Sequence, residues 1–417
     1  MTGINSGDTA WMMVSCALVF IMTPGLGLFY GGMVRRKNVL NTLMSSFFVC
    51  GLASVMWVLI GYTLSFGADA TGHGIIGNFD FLGLANLGET QGYAPTIPSL
   101  VFVAFQMMFA IITPALITGA LVERMRFSAL VIFIALWSVV VYYPLAHMVW
   151  SADGWLAKLG AIDFAGGNVV HISSGVSGLV ACILLGKRKG HGVVSYKPHN
   201  IPIIVLGAAL LWFGWFGFNA GSALSSGSLA GHAFMTTNTA AASAVLSWML
   251  MEKILHGKPT LLGAATGAVV GLVAITPAAG FVPIWAAIII GLAVSPLCYL
   301  GMAVIKKKFG YDDALDAFGC HGIGGIWGGI ATGLFAQTSI NSVAKWDGLV
   351  FGQTDLFVRQ LAGIGTAVGW AAVGTFVIMI ILKKVMKVRV TEKEETEGLD
   401  HSEHGESAYP AFTGLDQ

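Results

Sequence analysis

Long apolar stretches recur along the whole chain, broken by short polar segments. A helix needs about 20 apolar residues to cross a bilayer. Eleven stretches reach or approach that length: roughly 9–33, 40–66, 98–121, 127–149, 163–186, 201–220, 231–252, 260–277, 281–305, 316–337 and 357–382. The basic residues sort the breaks into two sets. Arg35–Lys37, Arg124 with Arg126, Lys187–Lys189 with Lys197, Lys253 with Lys258, Lys306–Lys308 and Lys383–Arg389 each follow an odd-numbered stretch. Of the 22 Lys and Arg, only Lys158, Lys345 and Arg359 fall in the other set, and Lys393 lies in the tail. Cytoplasmic loops hold the excess of positive charge. The pattern predicts an all-α polytopic membrane protein of eleven transmembrane helices, N-terminus out and C-terminus in, resident in the cell membrane.

Composition agrees with the pattern. The chain is 56% hydrophobic and 10% charged, where a soluble domain has about a quarter of its residues charged. Its 55 glycines suit helices packed closely in lipid. A net charge of +1 offers no basic face for nucleic acid. Cys16, Cys50, Cys182, Cys298 and Cys320 are scattered singly, without disulfide or zinc spacing, and read as small packing residues. No metal or cofactor is expected. No positive charge precedes the first apolar stretch, whereas a signal peptide has its charge first. That stretch therefore reads as a retained helix.

The fifth and tenth stretches echo one another. Asp163 is followed eight residues later by His171, in DFAGGNVVHISSG, and Asp313 by His321, in DDALDAFGCHGIGG. An inverted 5+5 repeat explains the echo, about 9–189 against 201–337, with an eleventh helix over about 357–387. Eight residues of α-helix rise about 12 Å, so in a core about 30 Å thick both histidines reach the midplane, one from each side. A single histidine in such a helix is most often satisfied by a neighbouring hydroxyl or carbonyl. Two at matched depth and matched spacing from a carboxylate point to function. Asp163 reads both as an N-cap and as negative potential beneath an outer vestibule. Asp313 is its repeat partner. Asp312, Asp313 and Asp316 crowd the inner end in the same way; for Asp312 and Asp316, capping and pairing with Lys306–Lys308 weighs at least as much.

Aromatic residues cluster at 105–109 (FQMMF), at Trp150, and at 212–218 (WFGWFGF) leading into Asn219–Ser222. Tryptophan at a membrane edge is usually an interfacial anchor. A desolvated aromatic cage for a small cation is the other use, at about 2 kcal/mol per contact. The polar segment 389–417 reads as a cytoplasmic tail after a transmembrane domain over 1–388. Tyr409 and Phe412 are its candidate docking residues.

Together these stretches resemble the ammonium transporter family (Amt/Mep/Rh). The resemblance rests on PGLGLFYGG (24–32), ITPALITGALVERMRFSA (112–129), YYPLAHMVW (142–150), DFAGGNVVHISSG (163–175), WFGFNAGSA (215–223), ITPAAGFV (275–282), DDALDAFGCHGIGGIWGG (312–329) and GLDHSEHGESAY (398–409). It implies an outer NH4+ site of Phe105, Phe109, Trp150 and Ser222, with methylammonium as an analogue. It implies a gate of Phe109 over Phe218, and a pore lined by His171, His321 and Trp215. Asp163 is implicated in recruitment and deprotonation. The resemblance also implies a homotrimer with one pore per subunit, a tail packed beneath a neighbour, and closure by a PII-type signal protein. The pairing of His171 with Trp150 resembles the bacterial, archaeal or plant type.

The chemistry has a physical reason. K+ and ammonium are of similar size, but K+ has no proton to lose, so a titratable midplane in an apolar pore separates them. The expected function is a transporter and not an enzyme: NH4+ is deprotonated and NH3 crosses, with or without the proton. The alternative is an ammonium sensor that signals through its tail with little flux.

Overall fold

The computed structural model describes residues 3–409; Phe412 lies outside the described residues. The chain runs through eleven main helical segments: α1 (Ser6–Met33), α2 (Arg36–Phe66), α3 (Ser99–Leu121), α4 (Phe127–Leu159), α5 (Gly167–Leu185), α6 (Ile201–Gly221), α7 (Ser228–His256), α8 (Leu261–Ile275), α9 (Ile284–Phe309), α10 (Gly324–Phe335) and α11 (Asp355–Val385). All except α7, α8 and α10 are long and apolar enough to cross a membrane. Phe47, Ile254, Val373 and Phe376 stand uncovered on the outside, as side chains bathed in lipid do. The chain is a multi-pass membrane protein.

The other three segments are helical where the sequence predicts spans, but each differs from a plain apolar helix. The 29 residues of α7 include Thr236, Thr237, Asn238, Thr239 and Ser243, which lower its hydropathy. α8 has only 15 residues and ends in the irregular turn that holds Thr276 and Pro277. α10 has 12 residues and is preceded by a wide π turn, Phe318–Ile323. A matching π turn, Gly167–Ile172, opens α5. Further π turns lie within α2 (Trp57–Gly61), α4 (Ser138–Tyr142) and α9 (Leu300–Ile305). Single π turns of this kind cluster at functional sites.

α1 lies along α6, and α5 lies against the π turn that leads into α10. These packings bring the two histidine segments together in the middle of the bundle. Beyond α11 the tail folds as α12 (Glu392–Glu397) and α13 (Leu399–His404). A reciprocal capping box starts α12: Thr391 Oγ1 accepts from the Glu394 N–H, and Glu394 accepts from the Thr391 N–H. Such a box satisfies two orphan donors at once, which explains a helix in so acidic a stretch. The tail is then held by Arg126 to Glu394 (2.9 Å), Arg389 to Glu395 (2.8 Å) and the Asn41 N–H to Asp400 Oδ1 (2.8 Å). Tyr409 reaches His199 Nε2 at 3.0 Å.

Candidate functional site

His171 and His321 both sit inside π turns. Their Nδ1 atoms lie 3.3 Å apart, with ring centroids 5.3 Å apart and planes 21° from parallel. The stretch from Asp163 to His171 forms a capped turn and a π turn, so the α-helical rise expected from the sequence does not hold over it. A close crossing brings the rings together instead. A β-carbon on Gly175 would fall within the backbone of Gly322, so the crossing depends on glycine.

Counting donors and acceptors assigns a direction to the pair. Thr276 Oγ1 donates its one proton to the Leu272 carbonyl at 2.7 Å. It then accepts from Trp215 Nε1 at 2.9 Å and from His171 Nε2 at 3.3 Å. A hydroxyl has one donor and two acceptor positions, so His171 bears its proton on Nε2. Its Nδ1 accepts, and His321 Nδ1 is the donor. His321 Nε2 is left with a free lone pair.

The histidines, Trp215, Leu26, Ile112 and Val269 line a narrow cavity with a free volume of about 10 Å³. One water-sized molecule needs roughly 10–15 Å³, so the space beside the histidines is no wider than one such molecule. Phe218 packs over His171 (centroids 6.1 Å) and meets Phe109 at 4.3 Å, planes 31° apart. Both phenyl rings are buried, and they close the channel at this end.

Beyond them lies a vestibule of about 230 Å³ bordered by Phe105, Phe109, Trp150 and Ser222. Phe109 meets Phe105 and Trp150 edge-on, at 5.0 and 5.7 Å. Trp150 Nε1 donates to the Asp163 carbonyl at 3.0 Å, which fixes the indole. The Ser222 hydroxyl donates to the Phe218 carbonyl at 2.8 Å and keeps lone pairs for a donor. Aromatic faces and a hydroxyl acceptor form a set that fits a small cation with N–H groups. Asp163 is buried, and its carboxylate takes up the N–H groups of Gly166, Gly167, Asn168 and Val169. It shapes the turn below the vestibule.

At the opposite mouth Asp313 accepts from the Ala317 and Phe318 N–H groups. Asp316 pairs with Lys306 at 2.8 Å. Asp312 does not pair with Lys306–Lys308 as expected; Arg188 takes it instead, at 2.8 Å, because the turn after α5 brings a forked guanidinium to it. Arg188 also binds Glu123 at 3.0 Å, and Arg35 closes on Glu123 from α2's start. Burial raises the Asp312 carboxyl, but hydrogen bonds from Arg188 and the charge of Arg124 outweigh it and hold the group below the usual carboxylate range. Glu123 is lowered too, against its burial, chiefly by Arg188 and Arg35.

Sequence reasoning missed three residues. Thr276 orders His171 and Trp215; it stands in ITPAAGFV, where a single threonine in an apolar run carries no telling spacing. Gln106 and Tyr93 line the vestibule. Gln106 is a lone polar residue inside the aromatic stretch FQMMF, and Tyr93 comes from a long loop with no periodic signal. Among the described residues no group of His, Cys, Asp and Glu is placed to hold a metal ion.

A family model described as Ammonium Transporter Family matches residues 10–409. The chain is 55% identical over 407 residues to an ammonium transporter of Bacillus subtilis, covering 97% of this chain and 99% of that one. It is 46% identical over 407 residues to the ammonium transporter Amt1 of Archaeoglobus fulgidus, covering 97% and 100%. The crystal structure of Saccharomyces cerevisiae Mep2 superposes with a TM-score of 0.88 at 38% identity, covering 93% of this chain and 88% of that one. A solved structure described as a sensor Amt protein superposes with a TM-score of 0.87 at 30% identity, covering 95% and 98%.

Proposed function

This chain belongs to the ammonium transporter family, and from that premise we propose that it recruits NH4+ at Phe105, Phe109, Trp150 and Ser222, that the cation gives its proton to vestibule water near Asp163, and that NH3 passes His171 and His321, with or without that proton following. One observation supports this most: two hydrogen-bonded imidazoles beside a narrow, mostly apolar cavity, behind two buried phenyl rings whose centroids lie 4.3 Å apart. The cation loses its water and its charge before it enters so narrow and apolar a space, because burying an unpaired charge costs far more than burying a neutral amine. The free lone pair on His321 and the directed His171–His321 bond let NH3 exchange hydrogen bonds without water. Asp163, its oxygens occupied by backbone N–H groups, supports recruitment through its field and by aiming Trp150.

We further infer eleven spans, N-terminus out and C-terminus in, from the basic loops. The inverted 5+5 repeat is supported by the π turns in the fourth and fifth helices of each half and by the packing of α1 on α6. On this reading the domain ends near 388, the tail is cytoplasmic, and the protein assembles as a homotrimer open to a PII-type regulator.

A sensor role is the second reading, favoured by the ordered tail and by the likeness to a solved sensor Amt protein. Methylammonium flux into liposomes holding purified protein decides between them. Saturable flux that ceases in Phe218→Trp supports transport; absence of flux with retained ammonium binding supports sensing.

A further inference from the structure

The two mouths are built on the same turn, and one position breaks the correspondence. Three residues after Asp163 stands Gly166, with φ 114°. Three residues after Asp313 stands Asp316, with φ 57°. A left-handed backbone suits glycine and strains a residue with a β-carbon. The Asp313 mouth therefore keeps a strained carboxylate where its counterpart has none.

That carboxylate has a partner. Lys306 Nζ lies 2.8 Å from Asp316 Oδ1 and donates to the Asp313 carbonyl at 2.6 Å. Asp316 lines a cavity of about 190 Å³ that shares Phe29, Leu315 and Cys320 with the histidine channel. Glu252 also borders it, but Thr260 takes up its carboxylate. At the other mouth Lys158 pairs with Asp153, not with Asp163, and Lys345 at the vestibule edge is exposed and screened by solvent.

The ε-ammonium of lysine is chemically a substituted ammonium ion. It holds two oxygen acceptors, one of them on Asp316, which lines the cavity next to the histidines. We propose that Lys306 occupies an ammonium-binding site of the inner mouth as a tethered competitor, which keeps cytoplasmic ammonium weakly bound and lets delivered ammonium leave. The inference rests on the proposed conduction of ammonium and on the inner placement of this mouth. Passive transport obeys detailed balance, so low-concentration rates from the two sides stay equal at zero potential. The device shows instead in the half-saturation concentration on one side.

The test is labelled methylammonium uptake into right-side-out and inside-out membrane vesicles, at zero potential, over a range of concentrations. Lys306→Met should lower the KM from the cytoplasmic side by roughly three-fold or more, and Asp316→Gly should raise it, by the sign of the charge removed. The KM from the outer side should stay within two-fold in both. Lys306→Arg should stay closer to wild type than Lys306→Met, and Lys306→Gln repeats the Met test if that variant does not fold. Equal KM changes on both sides, or none, overturn the inference. Failure of the wild type to carry methylammonium at all would instead overturn the transport reading.

Discussion

The Nδ1 atom of His171 lies 3.3 Å from Nδ1 of His321, and Thr276 decides which of them holds the proton. Thr276 Oγ1 has given its proton to Leu272 and accepts from both Trp215 and His171. Thr276→Val keeps the shape and removes the hydroxyl. Two buried donors then lose their acceptor, at about 1–3 kcal/mol each. Saturating methylammonium flux should fall several-fold, with the protein still folded by size-exclusion chromatography. Flux equal to wild type would show that the ring orientation does not depend on this hydroxyl.

Gly175→Ala should be among the most damaging small substitutions. Its methyl group meets the Gly322 backbone, which has no rotamer with which to yield. Overpacking of this kind costs about 1–3 kcal/mol or more. The expected result is a lower melting temperature in detergent and lost flux. Gly51→Ala, with open space around it, is the matched control and should melt like wild type.

The ion cluster of Asp312, Arg188, Glu123 and Arg124 should give the protein an acid limit. Asp312 and Glu123 have carboxyls lowered by Arg188 and its neighbours despite burial. A lowered folded-state value stabilises the fold above the ordinary carboxylate range and loses that contribution as pH falls towards the lowered value. Melting temperature should therefore be level from about pH 5 to 8 for this contribution and fall below about pH 4. Asp312→Asn leaves Arg124 without a carboxylate and Arg188 with Glu123 alone, and should destabilise at neutral pH by about 3–5 kcal/mol.

The tail should detach when one cap is removed. Asp400 Oδ1 accepts from the Asn41 N–H at 2.8 Å, and Leu399 N donates to Asn38 Oδ1 at 2.8 Å. Asp400→Ala should speed proteolysis between 390 and 409 several-fold, read by mass spectrometry of limited digests. Unchanged digestion would place the docking energy in Arg126, Arg389 and Tyr409 instead.

Much of the site could be read in the sequence, because its chemistry stands out against an apolar background. A histidine or aspartate inside an apolar stretch is conspicuous, and the Asp163–His171 and Asp313–His321 spacings match each other. The aromatic residues at 105, 109, 150 and 218 are dense enough to notice. Thr276 was not legible, since one threonine in an apolar run has no spacing to mark it. The π turns were not legible either: they widen the helix by one residue per turn without changing composition. Arg188 as the partner of Asp312 depends on two loops meeting, which periodicity does not encode. The tail's fold was hidden by its acidity, which signals disorder unless the Thr391–Glu394 box is noticed.

The most direct test of the central claim is selectivity between ammonium and K+ in liposomes holding wild-type or His171→Ala protein. Wild type should carry ammonium and exclude K+ over the full concentration range. With the imidazole pair broken, ammonium selectivity should collapse, either through K+ entry or through loss of flux. A His171→Ala protein that folds, carries ammonium at the wild-type rate and still excludes K+ would contradict the role assigned to the two histidines.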